Sequence, residues 1–268
     1  ARGGASRTIR QALTIAIAIV VTGGFAQLIL VKLLGLNTFW SAWALGVIPA
    51  LFGDALSRVL LVTNSWFAFL PGKLPTLRMF SVFPDSHSFA MWLILGLAVL
   101  LPFIRRDAPR LQRVSAATLM LLSLLGIILS GSRGTWISSF VPLVAALVFL
   151  TGPVRRLVPA LAERIPKRSA ATAAITVFAF LALFPVAGAL VRWGAGQVGT
   201  DQVLYERALT IADVAEVSNQ GRLRIWKTTA GSILRHPVLG VGLNNYPVVL
   251  AQEPAESKKG SSAHNLYL

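Results

Sequence analysis

The sequence predicts an all-α protein, a polytopic transmembrane helical bundle with a mostly helical extracytoplasmic loop. Hydrophobic residues make up 55% of its 268 residues and charged residues 13%, whereas a soluble domain carries about 25% charged residues. The mean hydropathy is +0.69. Long apolar runs alternate with short basic stretches, which is the pattern of a multi-pass membrane protein.

Five apolar runs are interpreted as membrane spans, since about 20 apolar residues in a helix cross the hydrocarbon core. They cover about residues 12–34, 88–104, 114–129, 136–150 and 170–191. The region 37–85 is apolar but interrupted by prolines and charges, and it is rich in Trp, as interfacial segments are. We expect two interfacial or re-entrant helices there, on the extracytoplasmic side; two short spans would leave the topology of the rest unchanged. Residues 192–268 form a large polar loop.

The distribution of basic residues orients the chain. The stretches 105–113 and 155–168 are the densest in Arg and Lys, and they are separated by two spans, so the positive-inside rule places both in the cytoplasm. Arg78, Arg133 and the loop 192–268 then share the opposite face. Much of the net charge of +15 is therefore explained by topology, and no nucleic-acid-binding motif accompanies it.

Two arginines on that face lie where an anion could bind. Arg133 belongs to Gly131-Ser-Arg-Gly134, a tight turn before a helix whose first N–H groups are free. The sequence is equally consistent with an anion-binding role for Arg133 and with an Arg133 side chain that reaches out to lipid headgroups. Arg222 is expected in the first turn of a helix that opens near Gly221. Apolar residues recur along that helix at spacings of three and four; they are Leu223, Trp226, Ala230, Ile233 and Leu234.

The three histidines are scattered along the chain, so they form no metal-binding pattern. His264 follows a flexible stretch, and an imidazole suits general-base catalysis near neutral pH, although a loop histidine is more often incidental. His87 is expected in the first turn of a helix, and His236 at the C-terminal end of another. The chain has no cysteine and no nucleotide-binding fingerprint.

The order of motifs resembles the superfamily of O-antigen ligases and O-antigen polymerases, bacterial membrane glycosyltransferases. The resemblance runs from about residue 78 to the end. The motifs that carry it are Arg78 with Phe83-Pro84 before a span, Ser-Gly-Ser-Arg133-Gly in a hairpin turn, Gly-Arg222-x-x-x-Trp226, Pro237-x-x-Gly240-x-Gly242 with Asn-Asn-Tyr, and Ala263-His264-Asn265. Asp85 stands where members of the family often have Asn.

The resemblance implies an enzyme of the bacterial inner membrane with its active face in the periplasm. Such enzymes move a glycan from undecaprenyl diphosphate to an acceptor such as lipid A-core or a glycan, with no cofactor and no obligatory metal. By position in the motifs, His264 would be the catalytic base, and Arg133 and Arg222 would be catalytic residues that hold the donor diphosphate. Arg78 and Arg224 would be weaker donor-binding residues. Attack opposite the diphosphate predicts inversion. Further membrane helices are expected before Ala1 and after Leu268.

Two alternatives stay open at this point. A polymerase of the same superfamily would use the same residues with a growing polysaccharide as acceptor. A non-enzymatic transporter or carrier-binding protein should place ionisable residues within its spans. The middle of each clear span is nearly free of such residues, which favours chemistry at the membrane surface.

Overall fold

A computed structural model describes part of the chain as two compact units, residues 1–208 and 209–268. The residues described are 2–62, 66–68, 76–104, 108–151, 168–195, 204, 208–209, 217–238 and 240–242. The predicted sites at Arg78 and Arg133 lie in the first unit, whereas those at Arg222 and Arg224 lie in the second. His264 lies outside the described residues.

Helices account for nearly all of the described structure, so the predicted all-α class is confirmed. The first unit contains α1 (Arg2–Leu34), α2 (Leu36–Ala42), a π-helix (Trp43–Val47), α3 (Ile48–Val62), α4 (Ser86–Leu100) with a 3-10 turn (Leu101–Ile104), α5 (Arg110–Leu129), α6 (Arg133–Thr151) and α7 (Arg168–Ala195). Two short strands, β1 (Phe67–Ala68) and β2 (Thr76–Leu77), pair antiparallel. The second unit contains α8 (Val217–Arg235).

The membrane spans expected from hydropathy are helices. Within the described residues, five helical segments are long and apolar enough to cross a membrane. Four of them coincide with expected spans, and these are Thr8–Leu34, Ser86–Ile104, Arg110–Leu129 and Ala174–Gly194. The fifth, Leu36–Leu61, overlaps the region 37–85, where interfacial or re-entrant helices are expected. The remaining expected span, 136–150, lies within the 19-residue helix α6. The protein is therefore a multi-pass membrane protein.

Helix α5 is central to the bundle, because it contacts α1, α4, α6 and α7. Its C-terminal third, from Ser123 to Leu129, is buried. A short turn joins α5 to α6, so the end of α5 and the start of α6 lie at the same end of the bundle. Aromatic rings fix α6 against α7, where the Trp136 and Phe184 rings lie edge to face at 5.3 Å.

The segment from α2 to α3 is a bent structure. Gly53 has φ 72° and ψ 162° inside α3 and breaks the helix there. A straight helix of 26 residues would be about 39 Å long, but the two ends of this segment contact one cluster of buried side chains. That cluster consists of Val31, Phe39, Ile48, Trp66 and Phe80, with Leu36, Phe52 and Leu60 packed against it. Residues near both ends of the segment therefore pack against the same cluster.

Helix α8 differs from its prediction in two ways. It begins at Val217, earlier than the expected start near Gly221, so placing Arg222 in the first turn was wrong. Its predicted apolar face is also wrong in part, since Leu234 is 81% exposed whereas Thr229 and Ser232 are buried. A threonine can face inwards because its hydroxyl donates to the Ile225 carbonyl oxygen at 2.7 Å, which satisfies the polar group within the helix.

Candidate active site

The turn between α5 and α6 brings several hydroxyl groups close together. Gly131 takes φ +62°, a left-handed conformation that glycine adopts without steric cost. The Ser132 Oγ accepts hydrogen bonds from the Thr135 N–H at 3.4 Å and from the Thr135 Oγ1 at 2.7 Å. Ser132 therefore caps the N-terminus of α6. The Ser130 Oγ donates to the Ile127 carbonyl oxygen at 2.7 Å and closes the end of α5.

Arg133 is the first residue of α6, and its side chain is buried, with a relative exposure of 6%. An arginine that reached out to lipid headgroups would be exposed, so that interpretation does not hold for Arg133. A helix N-terminus favours a negatively charged group, and Arg133 lies at that end of α6 with little exposure to water. An anionic group that reaches Arg133 would be attracted more strongly than at an exposed arginine.

Arg78 lies against the same turn. A Cβ placed on Gly131 would be 3.5 Å from the Arg78 Cγ and 3.7 Å from its Nε, so the arginine side chain lies across the glycine. The Arg78 Nη1 donates to the Ser86 Oγ at 3.4 Å. The structure therefore brings Arg78 to the turn that carries Arg133, 55 positions further along the sequence. Both arginines therefore belong to one end of the bundle, and an arginine side chain is well suited to bind phosphate groups.

The start of α4 borders this site. Asp85 is the N-cap, as the Pro84-Asp85 pair predicts, and its Oδ1 accepts from the His87 N–H at 2.7 Å and from the Ser88 N–H at 2.9 Å. The Ser88 hydroxyl donates to the Asp85 Oδ2 at 2.6 Å. Burial alone would raise the pKa of Asp85, but the hydrogen bonds from His87 and Ser88 outweigh it and hold the pKa well below its usual range. His87 lies in the first helical turn, as expected, with its Nδ1 3.5 Å from the Asp85 Oδ1.

The second unit carries the other sequence-predicted arginines on one helix. Arg222 and Arg224 both lie in α8, and the Arg224 side chain is exposed. His236 follows the last residue of α8 and is exposed, and its N–H donates to the Ser232 carbonyl oxygen at 3.0 Å. That is the helix-end position expected for it. Gly240 and Gly242 have positive φ, as expected for a turn-rich connection.

The comparisons with known proteins decide the family. A model of the O-antigen ligase family matches residues 118–268, which is more than half of the chain. The chain belongs to the O-antigen ligase family. No curated protein and no solved structure matches.

Membership in the O-antigen ligase family makes this a membrane glycosyltransferase of the ligase or polymerase type, whose partners are a lipid-linked glycan and an acceptor. The matched region contains four of the five site residues named from the sequence, Arg133, Arg222, Arg224 and His264. Arg78 lies before it, on the segment that joins β2 to α4.

Sequence reasoning missed the residue that holds this segment against α1. Gln27 of α1 is 3% exposed and hydrogen-bonds to the backbone at residues 78–81. The sequence carries a weak signal for Gln27, because burying an amide group in an otherwise apolar span costs free energy unless the amide has hydrogen-bond partners. Ser132 and Thr135 were also missed, because hydroxyl groups at a helix start are common and carry no functional signal by themselves.

Proposed function

We propose that this protein transfers a glycan from undecaprenyl diphosphate to an acceptor hydroxyl on the periplasmic face of the bacterial inner membrane. The observation that carries the proposal is the position of Arg133. It lies within the region that matches the O-antigen ligases, and it is buried at a helix N-terminus, two residues after the glycine that the Arg78 side chain covers. A cationic site at the end of a membrane bundle is suited to a diphosphate that is anchored in the bilayer by its lipid.

The proposed reaction is a single displacement at the anomeric carbon of the donor. The acceptor oxygen forms a bond to that carbon while the bond from the carbon to the diphosphate oxygen breaks. His264 takes the proton of the acceptor hydroxyl. Negative charge grows on the departing diphosphate, and Arg133 and Arg222 stabilise it by charge-assisted hydrogen bonds. Attack from the side opposite the diphosphate inverts the anomeric configuration.

The remaining arginines have supporting roles in this proposal. Arg78 binds a donor phosphate from the side of Gly131, and Arg224 adds positive charge for the donor from α8. The arginines supply the charge stabilisation that a divalent metal provides in other phosphate chemistry, so we propose a transfer that needs neither a metal nor a cofactor.

The proposal also specifies on which side of the membrane each segment lies. Residues 105–113 and 155–168 lie in the cytoplasm, and the turn at 130–133 and the loop 192–268 lie in the periplasm. The segment 36–62 enters and leaves the membrane on the periplasmic side, because both of its ends pack on one side-chain cluster after the break at Gly53. The N-terminus of α1 then lies in the cytoplasm with its basic residues.

The test is glycan transfer by the protein in nanodiscs, with an undecaprenyl-diphosphate-linked glycan as donor. Lipid A-core and a free glycan of the same repeat are offered as separate acceptors. Transfer to lipid A-core supports a ligase, and lengthening of the glycan supports a polymerase. Movement of the donor across a proteoliposome membrane, with no new glycosidic bond, would contradict the enzyme and favour a transporter.

Two variants test the residue roles. His264→Ala should abolish transfer, whereas His236→Ala, which removes an exposed histidine after α8, should retain it. Arg133→Lys keeps the charge but loses the planar fork that binds two phosphate oxygens, so kcat/KM for the donor should fall by about 10²-fold. Arg110→Lys is its control, at the exposed opposite end of α5. If the His264→Ala variant transferred glycan at the wild-type rate, His264 would not be the catalytic base.

A further inference from the structure

Gln27 is a buried amide on α1 with both of its polar ends in use. Its Nε2 donates to the Arg78 carbonyl oxygen at 2.8 Å. Its Oε1 accepts from the Phe80 N–H at 3.1 Å and from the Ser81 N–H at 3.2 Å. All three bonds go to one stretch of backbone, residues 78–81, which is named here the Arg78 loop. One side chain therefore hydrogen-bonds to three backbone groups of a stretch that lies outside the helices and strands.

The surface of α1 is shaped to receive the Arg78 loop. A Cβ on Gly23 would lie 2.6 Å from the Ser81 Oγ, and a Cβ on Gly24 would lie 2.9 Å from the Met79 Sδ. These two glycines therefore allow a close approach that no other residue would permit without displacement. The Ser81 Oγ donates to the Val20 carbonyl oxygen at 2.8 Å, which anchors the far end of the loop, where Ser81 has φ 52°.

The opposite side of the Arg78 loop is joined to the end of α5. The Met79 N–H donates to the Leu129 carbonyl oxygen at 3.0 Å, one residue before the turn at 130–133. The Arg78 side chain then lies across Gly131. The loop is therefore held between α1 and the turn that carries Arg133, and its position depends on bonds from both sides.

We infer that Gln27 is a positioning residue for donor binding: it holds the Arg78 loop so that the Arg78 guanidinium faces the donor diphosphate at the turn of Arg133. This inference rests on the proposed function. Gln27 itself touches no substrate. Because the loop lies in an apolar bundle, its backbone groups have little water to replace a lost bond. Removal of the amide should release the loop, and Arg78 with it.

The first measurement needs no enzymatic activity. The chain has no cysteine, so Val82→Cys, at a residue 45% exposed, carries a single spin label next to the loop. In nanodiscs, Gln27→Met should raise the mobility of that label, because methionine has a similar shape but makes none of the three bonds. Thr14→Val is the control on the same helix, since the Thr14 hydroxyl bonds only to the Arg10 carbonyl oxygen, and it should leave the label unchanged.

The second measurement uses the donor. Gln27→Met should raise the donor KM by about tenfold and change kcat little, with Thr14→Val again at the wild-type value. In the Arg78→Ala background the same substitution should have no further effect on KM, because Gln27 acts through Arg78. A purely structural role would instead give independent effects in the two backgrounds.

Gln27→Glu provides a rescue if Gln27→Met does not fold. A neutral glutamic acid offers one O–H donor and one carbonyl acceptor, so it can replace the amide, whereas its ionised form cannot donate to the Arg78 carbonyl oxygen. Label mobility in Gln27→Glu should therefore fall as the pH is lowered.

The outcomes separate the inference from the proposed function. An immobile label in Gln27→Met overturns the inference, whatever the activity. A mobile label with an unchanged donor KM also overturns it, because the loop would then have no part in donor binding. Absence of transfer by the wild-type protein overturns the proposed function alone, and the label still decides whether Gln27 holds the loop.

Discussion

The Arg78 side chain covers the α-carbon of Gly131, with its Cγ 3.5 Å from the position that a Cβ would take there. This contact joins a loop before α4 to the turn between α5 and α6. The distance is an ordinary van der Waals separation, so space alone does not require glycine at residue 131. The backbone conformation of Gly131, with φ +62°, is what favours glycine, since a residue with a side chain is destabilised in that conformation by about 1–2 kcal/mol.

Gly131→Ala should therefore lower the free energy of unfolding by about 1 kcal/mol, as measured by reversible unfolding in SDS. Gly134→Ala is the matched control three residues later. A Cβ at Gly134 meets nothing within 4 Å, and alanine in a helix is more favourable than glycine by about 0.5–1 kcal/mol. Gly134→Ala should leave stability unchanged or raise it. Equal losses in both variants would contradict the role of the backbone conformation at Gly131.

Gly23→Ala should also destabilise the protein, by about 1–3 kcal/mol, because its Cβ would lie 2.6 Å from the Ser81 Oγ. The partner atom identifies a compensating change. Ser81→Ala removes the oxygen, and the Ser81 Cβ is a comfortable 3.8 Å from that position. The double variant should therefore lose less stability than the sum of the two single variants, in the same unfolding assay.

Gly46→Ala is the control for Gly23→Ala, since a Cβ there meets nothing within 4 Å. If the losses of Gly23→Ala and Ser81→Ala simply add, the close approach of the Arg78 loop to α1 is not what Gly23 provides.

Asp85 should make the stability of the protein depend on pH in the acidic range. Its folded-state pKa is held below the ordinary value of 3.8, so the unfolded state binds the proton more readily. The stabilisation is therefore fully present above about pH 5 and is lost as the pH falls through and below 3.8. Asp85→Asn keeps the helix cap but removes the titrating carboxylate, so its unfolding free energy should approach that of the wild type as the pH is lowered.

Asp85→Ala separates the cap from the charge. It should cost about 1 kcal/mol at neutral pH, because the His87 and Ser88 N–H groups lose their acceptor. A wild-type stability that stayed constant from pH 6 to pH 3, relative to Asp85→Asn, would show that the hydrogen bonds do not shift this group.

Cysteine labelling should establish the proposed topology, since any introduced cysteine is unique in this chain. Leu111→Cys and Val238→Cys replace exposed side chains, at 78% and 88% exposure. In intact inner-membrane spheroplasts, a membrane-impermeant maleimide should label Val238→Cys at once. Leu111→Cys should react only after the membrane is permeabilised. The reverse pattern would invert the topology and move the turn of Arg133 to the cytoplasm.

Local features of the fold could be predicted from the sequence because their causes are local. The apolar runs gave helices α1, α4, α5, α6 and α7, and Asp85 marked the start of α4 within one residue. Gly131 predicted a turn for the same reason, since its conformation depends on one residue. The start of α8 was missed because Val217-Ser-Asn-Gln continues the helix without a strong capping signal before Gly221.

The assembly of the candidate site could not be predicted in the same way. Gln27 and the Arg78 carbonyl group are 51 positions apart, and no periodicity or turn signal relates them. That Arg78 lies across Gly131 follows from how α1, α4 and α5 pack together, which hydropathy does not specify. Sequence context singled out Arg133, Arg222 and His264, and resemblance added Arg78 and Arg224 together with a role for each of the five. Within the first unit, the described residues bring Arg78 to the turn of Arg133, and the roles of all five residues remain predictions.

The hydrogen bond from the Met79 N–H to the Leu129 carbonyl oxygen has a practical consequence for anyone who shortens this protein. The match to the O-antigen ligases begins at residue 118, in the middle of α5. The boundary of the matched region therefore does not coincide with the start of a helix. A chain cut at residue 118 would lose the first two turns of α5 together with Met79, Arg78 and Gln27. It would keep the region matched to the family but would lose the residues that pack against the end of α5. A shortened protein that folds should therefore still include α1.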